Sequence, residues 1–245
     1  MSNEKKTAGD ITLRSPFLKK LDNFFYHYKW HTVIALFLVV AILVCLLQTC
    51  SKEAYDVEVM YAGPKNLNDK QTVIDIQNAF AEFATDENGD GKVVARLVAY
   101  WVDERYYGGG DGENKDVDVP YLANNSLTNE KAYHDEIQAG NLSICLVSPY
   151  LFYQVYTEGG FMRIDELFPT LDESVYRVGE DGSINHSAVV LSKTPFGSLP
   201  GLSTLPKDTI LCLRKPGYHL LNASHLEAQH ANSKNVFLNA LGYTK

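Results

Sequence analysis

One stretch of fifteen residues constrains the fold of this chain more than any other feature. Val33–Leu47 contains no polar residue, and with its flanks it extends over residues 32–50, close to the roughly 20 residues that a helix needs to cross a bilayer. Aromatic residues, which favour the membrane interface, come just before it: Phe24, Phe25, Tyr26, Tyr28 and Trp30. The sequence therefore predicts a transmembrane helix over residues 32–50.

Charge is distributed unevenly around this segment. Residues 1–52 carry a formal charge of +4, and residues 53–245 carry −12. Because basic residues collect on the cytoplasmic side of a membrane span, we expect residues 1–31 to be cytoplasmic. Residues 53–245 would then form the extracytoplasmic domain of a single-pass protein of the cell membrane. The acidic domain would repel nucleic acid and anionic lipid, which argues against a nucleic-acid partner and favours cationic or neutral ones.

A cleaved signal peptide is the main alternative, since an apolar run of this length also fits the hydrophobic region of such a peptide. The segment before the run is long for a signal peptide, however, and no A-x-A cleavage site follows it. A lipoprotein would carry its lipid on Cys50, but Thr49 is larger than the residue that usually precedes such a cysteine. An uncleaved anchor fits these observations best.

Apolar strands and amphipathic helices alternate in the outer segment. Strands are predicted at residues 55–64, 93–102, 142–147, 187–193 and 208–215. Helices are predicted at residues 70–84, at 128–139, from Ser148-Pro149 to just before Gly159, and from the capping box Ser224–Glu227 to Gly242. Since strands separated by helices form parallel pairs, we expect one three-layer α/β domain over residues 53–245, with a mostly parallel sheet.

The stretch AGNLSICLVSPYLFYQVYTEGGFMRIDELFP, residues 139–169, resembles part of the bacterial extracellular solute-binding proteins. In that family a G-x-x-D-I strand leads into an S-P helix start and then a G-x-F-x-x-L-D-E-L motif. The family's acidic strand start is replaced here by Asn141-Leu142-Ser143. The 193 residues from Glu53 onward are too few for the family's two lobes. The resemblance implies one lobe of a periplasmic-binding-protein-like fold that captures a small polar solute for transport or sensing.

A ligand site is expected where the first three strands end. In open α/β sheets, ligands bind at the carboxyl ends of the strands, next to the free N–H groups of helix starts. Planar aromatic groups at this edge suit a sugar, a peptide or an organic cation. The candidate ligand-binding residues are Tyr61, Gly63, Tyr100, Trp101, Ser148 and Tyr150. The alternative is that Tyr150, Phe152, Tyr153 and Tyr156 only pack their helix onto the sheet.

The segment DENGDGK resembles the first half of a calcium-binding loop. Asp86, Asn88 and Asp90 occupy its first, third and fifth positions, and the carbonyl of Lys92 follows. The twelfth position, which should be a bidentate Glu, is Leu97, so Asp103 or Glu104 would have to complete the site. A structural Ca²⁺ site is one interpretation. The other is a polar turn whose carboxylates bond to their own backbone.

Patterns typical of catalysis are missing from the sequence. There is no G-x-S-x-G elbow, no H-E-x-x-H and no P-loop, and Asp165-Glu166 fits a solvated turn better than an acid–base pair. Cys145 and Cys212 lie in apolar strands, either as buried thiols or as a disulfide between neighbouring strands. The predicted function is binding rather than catalysis: capture of a small solute or, alternatively, an accessory subunit that holds a membrane protein such as a transporter.

Overall fold

The computed structural model describes residues 16–50, 55–87, 89–103, 119–140, 142–157, 159–179, 181–216 and 223–243. The chain divides into two compact units, Met1–Glu53 and Ala54–Lys245. In its described part the first unit is one helix, α1 (Pro16–Cys50), whose backbone leaves helical geometry at Tyr28 (φ −115°, ψ 18°).

Helix α1 contains the predicted apolar segment. Its window Tyr28–Cys45 has a mean hydropathy of 2.0 over 18 residues, none of them buried. By length and composition this helix is a candidate membrane span, and a signal sequence near the N-terminus would have the same properties. The helix begins well before residue 32, because the aromatic and basic residues that precede the apolar run continue it. A cytoplasmic N-terminus stays a prediction.

The second unit alternates strands and helices in its first half and is richer in strands and turns in its second half. The strands are β1 (Val57–Gly63), β2 (Ala95–Trp101), β3 (Ile144–Val147), β4 (Tyr176–Val178), β5 (Ile184–Val190) and β6 (Ile210–Leu213). The helices are α2 (Lys70–Ala81), α3 (Val119–Ala139), α4 (Pro149–Tyr156), α5 (Ile164–Leu167) and α6 (Ala223–Leu241). Single 3-10 turns lie at Glu173–Val175, Leu191–Lys193, Phe196–Ser198 and Leu202–Thr204.

All six strands join in one sheet with the order β2-β1-β3-β6-β5-β4. Strand β1 runs parallel to β2 and to β3, whereas the β3–β6, β6–β5 and β5–β4 pairs are antiparallel. The α/β class is confirmed, but the sheet is mixed rather than mostly parallel. The reason lies in the connections: β4 and β5 form a hairpin and only 3-10 turns separate β5 from β6, and antiparallel neighbours need no crossover helix.

Helices cover both faces of the sheet, as strand β3 shows most clearly. Ile144 and Leu146 join the core that contains Phe80 of α2 and Phe237 of α6. The alternate residues of β3 face the opposite way and join a second core with side chains of α3 and α4. Since both faces are buried, the strand is apolar throughout rather than alternating. The expected three layers are therefore present.

Cys145 and Cys212 lie directly opposite each other on β3 and β6. Both are fully buried and both are free thiols. Burial raises the pKa of the Cys212 thiol well above its ordinary value. The structure therefore contains two buried thiols at these positions and no disulfide between the two strands.

The connection from β5 to β6 packs closely against α2. Phe196 meets the rings of Phe80 and Phe83 edge to face, with centroids 5.0 and 5.5 Å apart. Gly201 has a φ of +76°, and a Cβ built on it would lie 2.7 Å from the backbone nitrogen of Ile76. A glycine is therefore needed for both the turn and the approach to the helix.

The C-terminal end of α3 is held by a buried arginine, Arg214, which directly follows β6. Arg214, only 4% exposed, donates from Nη1 to the Ile137 carbonyl (2.7 Å), from Nη2 to the Gly140 carbonyl (2.8 Å) and from Nε to the Leu142 carbonyl (3.2 Å). Carbonyls at a helix end have no partner within the helix, and a cation also complements the helix dipole there. Arg214 thus fixes α3 to the sheet.

Candidate functional site

The carboxyl ends of β1, β2 and β3 meet at one edge, as the sequence predicts. The amide of Ser148 donates to the carbonyl of Ala62 (2.9 Å), and the amide of Val102 donates to the carbonyl of Gly63 (3.0 Å). Ser148 caps α4 by accepting the amide of Leu151, and Pro149 is the first helical residue. The predicted start of α4 is confirmed.

Several of the candidate residues at this edge are buried or bond to neighbouring backbone groups. Tyr61 is 1% exposed and its hydroxyl accepts the amide of Lys65 (3.0 Å), while Ser148 is 4% exposed. The indole of Trp101 donates to the carbonyl of Pro64 (3.0 Å). A Cβ on Gly63 would lie 3.0 Å from the Tyr61 hydroxyl, so this glycine permits close packing. These contacts hold the edge together, and a ligand role for these residues stays a prediction.

Tyr100 and Tyr150 are the more accessible aromatic candidates. Tyr100 is half-buried and packs on the second core. Desolvation and, secondarily, nearby Glu136 raise the pKa of its phenol. Tyr150 packs partly on the same core and also lines an open groove on the surface. The structure therefore brings Tyr150 to this concave surface.

This groove lies between α4 and the β4–β5 hairpin and has a volume of about 900 Å³. One wall comes from α4, and the other comes from the two strands and their turn. The principal lining residues are Tyr150, Tyr153, Gln154 and Tyr156 from α4, and Arg177, Val178, Asp181, Ser183, Ile184 and Asn185 from the hairpin. We call it the α4–hairpin groove.

The aromatic wall of the groove is supported from beneath by the buried Phe152. The ring of Tyr153 meets Phe152 edge to face at 5.4 Å, and the ring of Tyr156 stacks on it at 5.3 Å. Each of these two tyrosines nevertheless remains 38% exposed. The row of aromatics thus packs α4 onto the sheet through Phe152, while Tyr153 and Tyr156 present ring surface to solvent.

Gln154 is fixed between two residues of α3. Its amide nitrogen donates to Oε1 of Glu130 (2.9 Å), and its carbonyl oxygen lies 3.0 Å from Nε2 of His134. These bonds tie α4 to α3 and set the orientation of the amide at the groove. A polar group that is held in place before binding gives specificity at little entropic cost.

Arg177 supplies a cationic group to the opposite wall. Its guanidinium lies over the ring of Tyr153, 5.9 Å from the centroid. Its Nε is buried and has no hydrogen-bond partner among the residues that the structure describes. A buried donor without a partner costs about 1–3 kcal/mol, which makes this atom the unusual feature of the groove.

The hairpin turn that carries Asp181 is internally bonded. Oδ1 of Asp181 accepts the amide (3.0 Å) and the hydroxyl (2.6 Å) of Ser183, and these bonds lower the pKa of the Asp181 carboxyl. Gly182 takes a φ of +78°. Sequence reasoning missed the hairpin as a wall of the site. The Asp-Gly pair between two short apolar runs was the available signal.

The candidate calcium loop is closed by its own carboxylates. The two oxygens of Asp86 accept the amides of Gly89 (2.7 Å) and Gly91 (2.8 Å), and Asp90 accepts the amide of Lys92 (2.9 Å). Asn88 lies outside the described residues. Within the described ranges, no group of three or more His, Cys, Asp or Glu side chains could hold a metal ion. The bonds match the turn interpretation, and Ca²⁺ stays a prediction.

Asp56 holds the two ends of this loop together, because its carboxylate accepts the amides of Glu87 (2.9 Å) and Val94 (2.7 Å). Asp103, proposed from the sequence to complete a calcium site, follows the other end of β2. At about 3.3 Å per residue, a seven-residue strand separates the two by roughly 20 Å. Asp103 therefore cannot fold over the loop.

Asp165 lies in a charged cluster at the surface, and the choice between a solvated turn and an acid–base pair stays a prediction. Arg163 donates to both of its oxygens, and Nδ1 of His186 lies 2.7 Å from Oδ2. The His186 ring stacks on Tyr176 with centroids 5.2 Å apart. The hydrogen bond from Arg163 is the main cause that lowers the pKa of Asp165 to about 2. This cluster is outside the α4–hairpin groove.

Asp165 should make the domain more acid-sensitive. Its folded pKa of about 2 is below the roughly 3.9 of an unfolded aspartate, so its contribution to stability is present above about pH 4 and is lost as the pH falls toward 2. We expect Asp165→Asn to lower the unfolding midpoint at neutral pH and to flatten its acid dependence. Thermal unfolding across this pH range tests this, with Glu166→Gln, whose side chain is 70% exposed, as control. An unchanged slope would contradict the assignment.

Comparison of the chain with the models of protein families, with curated proteins and with solved structures found no match in any of the three.

Proposed function

We propose that the chain is a membrane-anchored binding protein whose outer unit captures a small polar solute in the α4–hairpin groove, outside the cytoplasm. Helix α1 is the anchor, and residues 54–245 form the binding domain. The observation that carries the proposal is the groove itself, with its exposed tyrosine rings facing the polar side chains of the hairpin. No chemical step is assigned to the domain.

The size and lining of the groove support this role. Its volume of about 900 Å³ is within the roughly 300–1,000 Å³ of small-molecule sites, which combine apolar walls with a few placed polar groups. Tyr153 and Tyr156 offer ring faces that suit the apolar side of a sugar or peptide. Gln154 and Arg177 offer hydrogen-bond donors.

One wall of the groove, α4, belongs to the stretch of residues 139–169 that resembles solute-binding proteins. In the resembling stretch, α4 begins at Ser148-Pro149 directly after β3. The groove uses the outer face of that helix, and its second wall comes from a hairpin later in the same unit. One lobe therefore supplies both walls, so a second lobe is not required for a concave site.

The test is thermal unfolding of the full chain in detergent micelles with glucose, phenylalanine, a Gly-Phe dipeptide or spermidine. A probe at about one hundred times its dissociation constant should stabilise the fold by roughly 2.7 kcal/mol and raise the midpoint by about 5–11 °C. Tyr153→Ala should abolish the shift, because it removes the central ring of the wall. Tyr55→Ala should not. Tyr55 also lies under an arginine, Arg96 (5.2 Å), but Arg96 is on β2, at the opposite edge of the sheet from β4.

A shift that survives Tyr153→Ala would contradict the groove as the site. No shift with any of the four probes would contradict solute capture as proposed. The alternative, an accessory subunit that holds a membrane protein, would then be tested by identifying the proteins that co-purify with the anchored chain.

A further inference from the structure

Arg177 is placed to recognise one particular chemical group. It lies on β4, the edge strand of the sheet, and lines the groove. Its guanidinium lies over the Tyr153 ring, with Cζ 5.9 Å from the centroid. Its buried Nε has no hydrogen-bond partner in the described part of the chain.

A carboxylate is the ligand group that fits these donors. A guanidinium presents parallel N–H groups that bond both oxygens of a carboxylate, and such charge-assisted pairs are about twice as strong as neutral ones. Bidentate binding through Nε and one Nη would satisfy the buried donor. Resting on the proposed function of the groove, we propose that its ligand is a zwitterion with an apolar part, an amino acid or a short peptide, whose carboxylate pairs with Arg177.

The charge of the surroundings selects a zwitterion over a simple anion. Among the described lining residues there is one basic side chain, Arg177, and one acidic side chain, Asp181. Residues 53–245 carry a formal charge of −12, which repels a ligand with net negative charge. A molecule with no net charge avoids this repulsion. Its ammonium can face Asp181 or the ring surfaces of the tyrosines, which attract cations.

The remaining contacts explain the need for an apolar part. Tyr153 and Tyr156 expose ring faces along the α4 wall, and Val178 and Ile184 are 53% and 39% exposed on the opposite wall. An aromatic or aliphatic side chain between these walls would bury apolar surface from both sides. A phosphate-bearing ligand would leave these surfaces unused and would bring two charges to one arginine.

The test is calorimetric titration of the full chain in micelles with matched probes. Gly-Phe dipeptide and phenylalanine carry both charges, phenylalaninamide lacks the carboxylate, and 3-phenylpropanoate lacks the ammonium. Each of the two incomplete probes should bind at least tenfold more weakly than its zwitterionic counterpart. Arg177→Gln should weaken zwitterion binding at least tenfold and abolish the preference over the amide, and Arg177→Lys should lie between.

The matched control is Arg96→Gln. Arg96 also lies over a tyrosine ring, but on β2 at the opposite edge of the sheet, so its loss should leave every affinity unchanged. Equal binding of phenylalanine and phenylalaninamide, or unchanged zwitterion binding by Arg177→Gln with its unfolding midpoint intact, would overturn the inference.

Glucose and spermidine are titrated in parallel to separate this inference from the proposed function. Binding of either one that Tyr153→Ala removes and Arg177→Gln preserves would uphold solute capture and overturn the zwitterion. If none of the six probes binds, both proposals are contradicted.

Discussion

Replacing Gly201 with alanine is expected to destabilise the outer unit by roughly 4 kcal/mol or more, among the largest losses that a single added methyl group causes. Two effects combine at this residue. Its φ of +76° strains any side-chain-bearing residue by about 1–2 kcal/mol. The new Cβ would also lie 2.7 Å from the nitrogen of Ile76 and 2.9 Å from Cβ of Asp75. Helix α2 would have to move away from the β5–β6 connection.

Two further glycines separate these effects. Gly182 has a similar φ of +78° with nothing within 4 Å of its Cβ position, so Gly182→Ala should show the strain alone, about 1–2 kcal/mol. Gly197 lacks the positive φ, but its Cβ would collide with the carbonyl oxygen of Leu191. Gly197→Ala should therefore show the collision alone. Thermal unfolding of the full chain, followed by near-ultraviolet circular dichroism, measures all three.

The order of the losses is the informative result. We expect Gly182→Ala to cost least, and both Gly197→Ala and Gly201→Ala to cost at least 2 kcal/mol more, as overpacking does. Equal losses for Gly182→Ala and Gly201→Ala would mean that α2 does not lie against this turn.

The first half of the outer unit could be predicted from its sequence because local signals agree there. Strand β1 begins and ends within two residues of the prediction, and α4 starts at its Ser-Pro cap. Helix α3 was predicted to start at residue 128 but starts at Val119. Its first turns contain Pro120 and an Asn-Asn pair, which favour turns and obscure the helical period. Proline is tolerated in the first turn of a helix.

The mixed sheet could not be read from the order of elements. Strand β4 has three residues, too few to show an alternating pattern. The register of its pairing with β5 shifts after Tyr176, which breaks the pattern further. The connection Leu191–Thr204 repeatedly uses 3-10 turns, and its packing on α2 depends on side chains distant in sequence, such as Phe80 and Phe196.

Of the two walls of the candidate site, only the α4 wall could be predicted from the sequence. The turn of the hairpin lies toward the amino end of β3, because β5 begins at Ile184 and only its last residue, Val190, is level with the end of β3. The strand-end rule therefore predicted only the start of α4, which forms one wall of the groove. It could not locate the opposite wall, because Arg177 is brought to α4 only when β6 and β5 have joined the sheet beside β3. A long-range pairing of this kind leaves no local pattern.

Replacing Arg214 should also destabilise the outer unit by several kcal/mol. Arg214→Met keeps the aliphatic volume but removes the donors of three carbonyls, those of Ile137, Gly140 and Leu142. Because hydrogen bonds from a charged group contribute about 1.5–3 kcal/mol each and are not additive, we expect a loss of roughly 3–5 kcal/mol. Arg214→Lys should lose somewhat less stability, since a lysine keeps a charged donor. It should still lose some, because one ammonium cannot reach all three carbonyls.

Arg96→Met is the matched control for this loss. Arg96 is 45% exposed and pairs with Glu58 at 3.2 Å, and an exposed pair of this kind contributes about 0–1 kcal/mol. Because α3 also carries Glu130 and His134, which hold Gln154 at the groove, Arg214→Met should weaken ligand binding as well as folding. A loss no greater than that of Arg96→Met would mean that other donors satisfy the end of α3, and that this helix does not depend on β6 for its position.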